Sequence, residues 1–340
     1  MAVPARSVIS ASDIVVNLAG VSKTFFQRQR SERLQDVFGN LFYPSIRKVQ
    51  ALQRINLQIC RGEIVAYAGP NGAGKSTTVK LLSSLLAPDA GTVRVLGMDP
   101  IRDRRRYVGR IGVVFGQRTE LWWDHPVAVS FEWKRVVWEI PRPRYDRMLG
   151  VVKELLGLEE FFHTAPRELS LGQRMRADLG MALLHEPEIL FLDEPTIGLD
   201  VLAKRSILSF IQDLNRQRKV TVMLTSHDMG ELEQLAGRII LIDRGEIAFD
   251  GDFIGLRQQF GDRRRLLIET ATGAAPTLQG AELLESEAGR HEYRFDASQV
   301  KIAVLLEQAA AEAPVLDVET HRAPIDEVIA GIYEKWQEAR

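Results

Sequence analysis

The most chemically specific segment of the sequence is a glycine-rich run of nine residues. Its members are Gly69, Pro70, Asn71, Gly72, Ala73, Gly74, Lys75, Ser76 and Thr77. They fit the phosphate-loop pattern, in which a glycine and four further residues precede Gly-Lys-Ser/Thr. Glycines let the backbone curl so that successive N–H groups point at phosphate oxygens. The pattern assigns Lys75 to the β- and γ-phosphates and the Ser76 hydroxyl to Mg²⁺, and it predicts a site for a nucleoside triphosphate.

Two carboxylic acids and a histidine follow apolar runs farther along the chain. Asp193 and Glu194 come directly after one run, and His227 comes shortly after another. Hydrolysis of a triphosphate needs a metal ion and a base near the attacking water. We expect Asp193 to hold Mg²⁺, Glu194 to accept a proton from water, and His227 to contact the γ-phosphate. Gln117, after a third run, is a candidate sensor of the metal or the water. One of the two acids could instead cap the helix that follows.

A third polar cluster, Leu169-Ser170-Leu171-Gly172-Gln173, opens a predicted helix. Ser170 is a candidate N-cap, because its hydroxyl can accept a hydrogen bond from a backbone N–H of the first turn. Other N–H groups of that turn would remain exposed behind it. By itself the cluster indicates only a capped helix.

These candidate residues lie at or near the ends of predicted strands and helices. Short, continuous apolar runs are typical of buried parallel strands, and open α/β sheets bind ligands at the carboxyl ends of such strands. The runs are residues 64–68, 111–115, 189–192, 220–224 and 238–242. Alternating or mixed patterns predict further strands at residues 13–18, 51–59 and 92–96. A helix is predicted at residues 77–86, and a helical insertion between about residues 122 and 186.

The composition becomes more acidic after about residue 257. Here the patterns predict a small α+β appendage, with strands at residues 265–269, 291–295 and 315–320, and helices at residues 298–311 and from Pro324 onward. The predicted domains are therefore residues 1–256, with a helical subdomain at about 118–186, and residues 257–340.

The composition is that of a soluble globular chain. Its 340 residues include 44 Lys and Arg and 45 Asp and Glu, which gives a formal net charge of −1. This balance gives no reason to expect a nucleic-acid partner. Cys60 is the single cysteine, which excludes an intrachain disulfide and suits a reducing cytosol. The N-terminus does not resemble a secretory signal, and no apolar run approaches the roughly twenty residues that span a bilayer. A membrane function would therefore need another chain.

Two segments near the N-terminus have alternative interpretations. Phe25 and Phe26 end a predicted strand, where one of them could stack on a base or only pack against its neighbours. A short amphipathic helix is predicted from Leu34 to Phe42, with arginines on either side. It could lie on a membrane surface. Packing on the flank of its own domain is favoured, because the segment is short.

Together these motifs resemble those of the nucleotide-binding subunit of an ATP-binding cassette (ABC) transporter, over residues 13 to about 251. The matches are the Walker A motif at residues 69–77, the Q-loop at Gln117, the signature at residues 169–173, the Walker B motif and catalytic glutamate at residues 189–194, the D-loop at residues 198–200 and the switch histidine at His227. The resemblance implies a P-loop NTPase fold with a RecA-like α/β core, an antiparallel β subdomain and a helical subdomain. It also implies an ATPase that binds ATP and Mg²⁺.

The resemblance assigns roles that the residues alone do not. It implies that Phe25 stacks on adenine and that two such domains, expected to be two copies of this chain, form a head-to-tail dimer. Each ATP would lie between the Walker A motif of one copy and the signature of the other. The signature residues Ser170, Gly172 and Gln173 would then act across the interface, and the D-loop residue Asp200 counts among the ATP-binding residues.

The signature itself departs from the usual Leu-Ser-Gly-Gly-Gln, because Leu171 replaces the first glycine. Ser170 and Gly172 remain, so we expect the contact with ATP to survive. The local backbone geometry and the rate of hydrolysis are the two properties that the change calls into question.

Within the family, the sequence resembles the ATPases of ABC-2 type exporters, which include sodium-extrusion and drug-resistance systems. The similarity lies in the extension between residues 26 and 50, in residues 115–118 leading to Trp122 and Trp123, and in the C-terminal domain. We expect a cytoplasmic subunit, peripheral on the inner face of the membrane, that docks on separate transmembrane permease subunits. Trp122 and Trp123 would belong to the docking surface or to the core of the helical subdomain.

Two other functions compete with an exporter subunit. One is a soluble ABC ATPase that acts on a ribosome, DNA or an assembly partner, but the chain has a single Walker A motif and no sustained heptads. The other is an ATP-binding switch that does not hydrolyse ATP, and the presence of Glu194 and His227 argues against it.

Overall fold

The computed structural model describes residues 13–28, 46–116, 118–260, 263–271, 273–322 and 324–338. The predicted amphipathic helix at residues 34–42 and Gln117 both lie outside these ranges. The described chain forms two units. The first contains the residues up to His227 together with Gln234–Asp250, and the second contains Asp228–Glu233 and the residues from Gly251 onward.

The first unit contains both strands and helices. Its strands are β1 (Ile14–Arg28), β2 (Ile46–Cys60), β3 (Ile64–Ala68), β4 (Ala90–Val95), β5 (Ile111–Phe115), β6 (Ile189–Asp193), β7 (Thr221–Thr225), β8 (Arg238–Asp243) and β9 (Glu246–Gly251). Its helices are α1 (Lys75–Leu82), α2 (Arg104–Val108), α3 (Val127–Val137), α4 (Arg142–Leu156), α5 (Leu171–Leu183) and α6 (Val201–Arg218).

Two sheets organise these elements. The larger has the strand order β5-β6-β7-β3-β8-β9, and its neighbours from β5 to β8 pair in parallel. The smaller has the order β2-β1-β4 with antiparallel pairing. Every residue of β6 and β7 is buried, which explains their continuous apolar sequences. Because the strands run in parallel, their carboxyl ends meet at one edge of the larger sheet.

Helix α1 starts directly after the glycine-rich loop and packs into the main core. Val79 and Leu82 of this helix belong to one apolar cluster with Val16 of the smaller sheet and Phe191 of the larger. The helix begins two residues before the predicted start at Thr77 and ends at Leu82 instead of Leu86. It ends early because Ser84 adopts a φ of +64°, which a right-handed helix does not accommodate.

The predicted helical insertion consists of α3, α4 and α5. Gly180 allows α5 to approach α3 closely, because a Cβ at this position would lie 3.0 Å from Cζ of Phe131. The same Cβ would lie 3.1 Å from Cδ1 of Leu158. These three helices therefore form one tightly packed layer.

The second unit is a small α+β structure. It contains α7 (Met229–Leu235), which begins in this unit, α8 (Phe253–Phe260), β10 (Arg263–Thr270), β11 (Ala281–Glu287), β12 (Arg290–Asp296), α9 (Ile302–Glu312), β13 (Val315–Arg322) and α10 (Ile325–Glu338). Its antiparallel sheet has the order β11-β12-β10-β13. Leu305 of α9 shares an apolar cluster with Leu266 and Tyr293 of the sheet. The sequence does not predict β11, because this strand is almost wholly exposed and lacks apolar alternation.

Candidate functional site

The glycine-rich loop between β3 and α1 is packed too closely for side chains at two positions. A Cβ on Gly69 would lie 2.2 Å from the backbone oxygen of Ile242, and a Cβ on Gly74 would lie 2.6 Å from that of Ala51. Gly74 also has a φ of +114°, in the region that favours glycine. The loop is thus fixed against β2 and β8, directly before the N-terminus of α1, where backbone N–H groups can bind phosphate oxygens.

Lys75, the first residue of α1, folds its side chain back onto the loop. Its Nζ donates hydrogen bonds to the carbonyl oxygens of Gly69, at 2.7 Å, and Pro70, at 3.2 Å. Burial lowers the pKa of Lys75 below its ordinary value, while the charges of Glu194 and Asp193 act in the opposite direction. An anionic phosphate at the loop would compensate for this burial of a cation, so the geometry fits the expected role of Lys75.

Asp193, the last residue of β6, accepts hydrogen bonds from hydroxyl groups of two other elements. Ser76 Oγ donates to Asp193 Oδ1 at 3.2 Å, and Thr225 Oγ1, at the end of β7, donates to the same oxygen at 2.8 Å. A hydroxyl and a carboxylate are oxygen ligands of the kind that Mg²⁺ takes. The predicted metal ligands Ser76 and Asp193 therefore lie together and fit this ion. The sequence does not predict a role for Thr225, although a polar residue at the end of a buried strand is a usable signal.

Glu194 and His227 face each other beyond the ends of β6 and β7. His227 Nε2 lies 2.6 Å from Glu194 Oε1. Glu194 has a φ of +57°, which is uncommon for a residue with a Cβ. Gly116 approaches it so closely that a Cβ there would lie 2.0 Å from the backbone oxygen of Glu194. Unfavourable backbone conformations of this kind concentrate at functional sites.

A cavity of about 240 Å³ lies beside these residues. Its lining residues are Ser76, Lys80, Leu85, Phe115, Gly116, Arg118, Asp193 and Glu194. The sequence does not predict Lys80 and Arg118, which add two cations to a wall that also carries two acids. The sequence does hold a signal for each: Lys80 lies one helical turn after Ser76, and Arg118 directly follows Gln117. The role of Gln117 stays a prediction, because this residue lies outside the described part of the chain.

Ser170 caps α5 as predicted. Its Oγ accepts a hydrogen bond from the N–H of Gln173 at 3.2 Å, and the Gln173 side chain accepts one from the N–H of Ser170 at 2.9 Å. This reciprocal pair is a capping box, which confirms the N-cap. Ser170, Gly172 and Gln173 are not among the residues that line the cavity beside Asp193. Their contact with ATP across an interface with a second copy of the chain stays a prediction.

The signature and the D-loop pack against each other within the chain. A Cβ on Gly198 would lie 3.0 Å from Cδ2 of Leu171, and a Cβ on Gly172 would lie 3.0 Å from Cβ of Ala203. Asp200 caps α6 by accepting hydrogen bonds from two backbone N–H groups of its first turn, each at 2.9 Å. The residue that departs from the usual signature, Leu171, thus contacts the turn that leads to Asp200.

Phe25 lies in β1, opposite Val49 of β2, and is half-buried. Lys23 Nζ lies 5.8 Å from the centroid of the Phe25 ring and forms an ion pair with Asp89 at 2.8 Å. The ring is therefore neither fully buried nor without neighbours. Its stacking on adenine stays a prediction.

Trp122 and Trp123 are 40% and 49% exposed, so they are not residues of a closed core. The Trp122 ring lies 5.6 Å from that of Trp133 in α3, measured between ring centroids. Helix α3 also exposes Val129, Val136 and Val137, which share one helical face with Trp133. We call Trp122, Trp123 and that face of α3 the aromatic-apolar surface. Within the described residues, none of the helices is both long and apolar enough to cross a membrane.

Comparison with known proteins identifies the family. The family model described as ABC transporter matches residues 52–197. The ABC transporter ATP-binding protein NatA of Bacillus subtilis (strain 168) is 32% identical over 203 residues, which cover 60% of this chain and 82% of NatA. The methionine import ATP-binding protein MetN 2 of Burkholderia mallei (strain ATCC 23344) is 32% identical over 272 residues, which cover 73% of this chain and 68% of MetN 2.

Among solved structures, the fold is similar to a dimeric post-hydrolysis state of the ATP-binding cassette MJ0796, bound to ADP and Pi. The TM-score is 0.56 and the identity is 26%, with 70% of this chain and 98% of that chain covered. The fold and the loop at Lys75 define a P-loop nucleoside triphosphatase. The chain belongs to the ABC transporter family, as an ATP-binding subunit that hydrolyses ATP. The resemblance of the motifs is thereby confirmed at the level of the family and of the fold.

Proposed function

We propose that this chain is the ATPase subunit of an ABC-2 type exporter, in which two copies act on separate permease subunits at the cytoplasmic face of a membrane. The observation that supports the site is the convergence of Ser76, Asp193 and Glu194 on one cavity, close to the loop that holds Lys75. Binding, metal and base functions are thus combined at the carboxyl ends of neighbouring parallel strands.

Each residue at this edge of the sheet has one task in the proposed reaction. Lys75 exchanges its two carbonyl partners for phosphate oxygens. Ser76 and Asp193 would hold Mg²⁺, which would supply positive charge beside the phosphates. Glu194 accepts a proton from the attacking water, and His227, 2.6 Å from Glu194, contacts the γ-phosphate. Gln117 senses the metal or the water.

A second copy of the chain completes the site. The first turn of α5 presents backbone N–H groups, and the helix dipole favours an anion at this end. Ser170, Gly172 and Gln173 of one copy would meet the γ-phosphate held by the other, so ATP favours closure and hydrolysis reverses it. Phe25 stacks on adenine and Asp200 lies at the same interface. The dimeric MJ0796 cassette supports an arrangement of two copies.

The exporter part of the proposal rests on the aromatic-apolar surface and on the second unit. Exposed tryptophans beside valines are typical of a surface that binds another protein. The similarity to MetN 2, which is named as an import protein, makes an importer subunit the alternative among transporters. A soluble ABC ATPase that acts on a ribosome, DNA or an assembly partner is the alternative without a permease.

The catalytic part is tested with Glu194→Gln and Lys75→Ala. Glu194→Gln should lower ATP turnover at least about 100-fold, because a general base contributes that much or more. It should keep ATP affinity and accumulate an ATP-bound dimer, as measured by light scattering. Lys75→Ala should weaken ATP binding itself. Glu246→Gln, at an exposed position of β9, is the control and should keep full turnover. An unchanged rate in Glu194→Gln would exclude Glu194 as the base.

The partner is tested by purification of the tagged chain, expressed with its neighbouring genes, from detergent-solubilised membranes. A polytopic membrane protein should copurify, and the double variant Trp122→Ala/Trp133→Ala should reduce its yield at least fivefold. Leu316→Ala, which alters an exposed leucine of the second unit, is the control. Recovery of ribosomal or other soluble partners alone would favour the soluble ATPase. ATP-dependent uptake into inside-out vesicles would distinguish an exporter from an importer.

A further inference from the structure

A buried carboxylate in α5 connects two parts of the ATPase site that are distant in sequence. We propose that Asp178 is a positioning residue for ATP hydrolysis, which fastens the segment after β5 to the helix that begins with the signature. This contact would fix the position of the N-terminus of α5 relative to Asp193 and Glu194 at the end of β6.

The first half of the connection is a pair of hydrogen bonds to one carboxylate oxygen. Asp178 Oδ1 accepts a hydrogen bond from Thr119 Oγ1 and another from the N–H of Glu120, each at 3.0 Å. Thr119 Oγ1 in turn accepts from the N–H of Leu121 at 3.1 Å. Asp178 is only 7% exposed, so water does not readily replace these bonds. The carboxylate therefore anchors residues 119 and 120 to α5, and through Thr119 Oγ1 it also helps to order the turn to Leu121.

Helix α3 holds the same segment from a second direction. Lys134, which is 4% exposed, forms an ion pair with Glu120 at 2.5 Å. The N–H of Trp122 donates to Ser130 Oγ at 2.9 Å. Because α3 and α5 are packed closely at Gly180, residues 119–122 are bound to the helical layer as a whole.

The other end of the connection lies at Gly116. Its N–H donates to the backbone oxygen of Asp193 at 2.8 Å, and its closeness to Glu194 leaves no space for a side chain. Gly116 and Thr119 are three positions apart in the chain. On the two sides of Gln117, the described residues Gly116 and Thr119 are thus held by the end of β6 and by α5, respectively. Asp178 lies about 12 Å along the helix axis from Ser170, a distance that a helix spans rigidly.

Loss of this link should affect hydrolysis without affecting nucleotide binding. ATP binds to the loop of Lys75, which Asp178 does not touch. In the proposed dimer, hydrolysis needs Glu194 of one copy and the N-terminus of α5 of the other copy to be aligned on the same ATP. The inference therefore rests on the proposed roles of Glu194 and Ser170.

The test compares four variants of the full-length chain in steady-state ATPase and ATP-binding assays. Asp178→Ala should lower kcat about tenfold and leave the Kd for ATP within twofold. Asp178→Asn keeps an acceptor oxygen for both donors and should keep kcat within twofold. Thr119→Val loses one of the two bonds and should lower kcat about threefold. Arg144→Met is the control, because the hydrogen bonds that it removes go to His185 and Glu186, just beyond α5, and not to Thr119 or Glu120. It should lower the Tm but keep kcat.

Three outcomes would overturn the inference: wild-type kcat in both Asp178→Ala and Thr119→Val, an equal loss of kcat in Arg144→Met, or an equal loss in Asp178→Asn and Asp178→Ala. If Asp178→Ala does not fold, the kcat values of Thr119→Val and Arg144→Met test the inference: a loss of kcat in Thr119→Val alone would support it, and equal kcat values would overturn it. Glu194→Gln in the same assay separates the two proposals. Full turnover in Glu194→Gln would refute the proposed catalytic role of Glu194. If Glu194→Gln is inactive while Thr119→Val and Asp178→Ala are both fully active, only the role of Asp178 is refuted.

Discussion

Asp178 and Lys75 are both buried ionisable residues, and burial shifts their pKa values in opposite directions. A protein interior disfavours the charged form, so burial lowers the pKa of the Lys75 ammonium and raises the pKa of the Asp178 carboxyl to about 7. The charge of Glu120 raises the pKa of Asp178 further, whereas its two hydrogen bonds and Lys134 lower it. Lys75 would gain a compensating anion when ATP binds, whereas the partners of Asp178 are Thr119 and Glu120.

We predict that Asp178→Asn removes a pH dependence of stability. In the folded chain the pKa of Asp178 is about 7, above its ordinary value of 3.8. Between these values the folded state keeps a proton that the unfolded state has lost, so stability falls as pH rises through the folded pKa. The slope is at most about 1.4 kcal/mol per pH unit. Between pH 5 and pH 8, the Tm of the wild-type chain should fall by several degrees relative to that of Asp178→Asn. Parallel Tm profiles of the two proteins would contradict the raised pKa.

Among the elements, α5 shows how a departure from a motif can leave its structure intact. Leu171 replaces a glycine of the usual signature, yet the capping box at the start of α5 forms, because it depends on Ser170 and Gln173. The leucine side chain points toward Gly198 of the D-loop instead of interfering with the cap. The helix start therefore survives the change, whereas its contact with ATP in a second copy stays a prediction.

The two roles of Ser170, as a cap and as a predicted ATP contact, can be separated by substitution. Ser170→Ala should cost about 1 kcal/mol of stability, and Ser170→Gly only a few tenths, because glycine is a tolerable N-cap. Both variants lack the hydroxyl. In the Glu194→Gln background, both should weaken ATP-dependent dimerisation about tenfold, while their Tm values without ATP differ. Light scattering and thermal unfolding measure the two effects. A normal dimer in Ser170→Gly would show that the hydroxyl does not act across the interface.

At the scale of the whole molecule, the chain enters its second unit immediately after His227. Within that unit, the N–H of Met229 donates to Asp326 Oδ1 at 3.3 Å, which ties α7 to α10. Arg257 of α8 binds both carboxylate oxygens of Glu233 in α7, each at 3.0 Å. The residues directly after the predicted switch histidine are thus part of the folded C-terminal unit.

We predict that Arg257→Met destabilises this second unit by about 2 kcal/mol, because it leaves the carboxylate of Glu233 without a partly buried, bidentate partner. Arg294→Met is the matched control. Its pair with Glu282 is largely exposed, so its loss should cost less than about 1 kcal/mol. Differential scanning calorimetry of the full chain measures both variants. Equal effects of the two substitutions would contradict the importance of the Arg257 contact.

The sequence by itself determined the phosphate loop, the buried parallel strands and the acids at their ends. These features are local: glycine spacing defines the loop, and a strand buried on both faces must be continuously apolar. This is why Lys75, Ser76, Asp193 and Glu194 could be grouped before their positions were known. The Ser170 cap was predictable for the same reason, because its hydrogen bonds lie within one helical turn.

Only the tertiary structure decided which distant residues meet. Thr225 and Ser76 are far apart in the chain, yet both donate to Asp193. Asp178 lies in a helix, and only the fold brings Thr119 and Glu120 to its carboxylate. The exposed strand β11 owes its place to pairing with β12, without an apolar pattern of its own. Sequence patterns report local conformation and burial, whereas contacts across the chain depend on how whole elements pack.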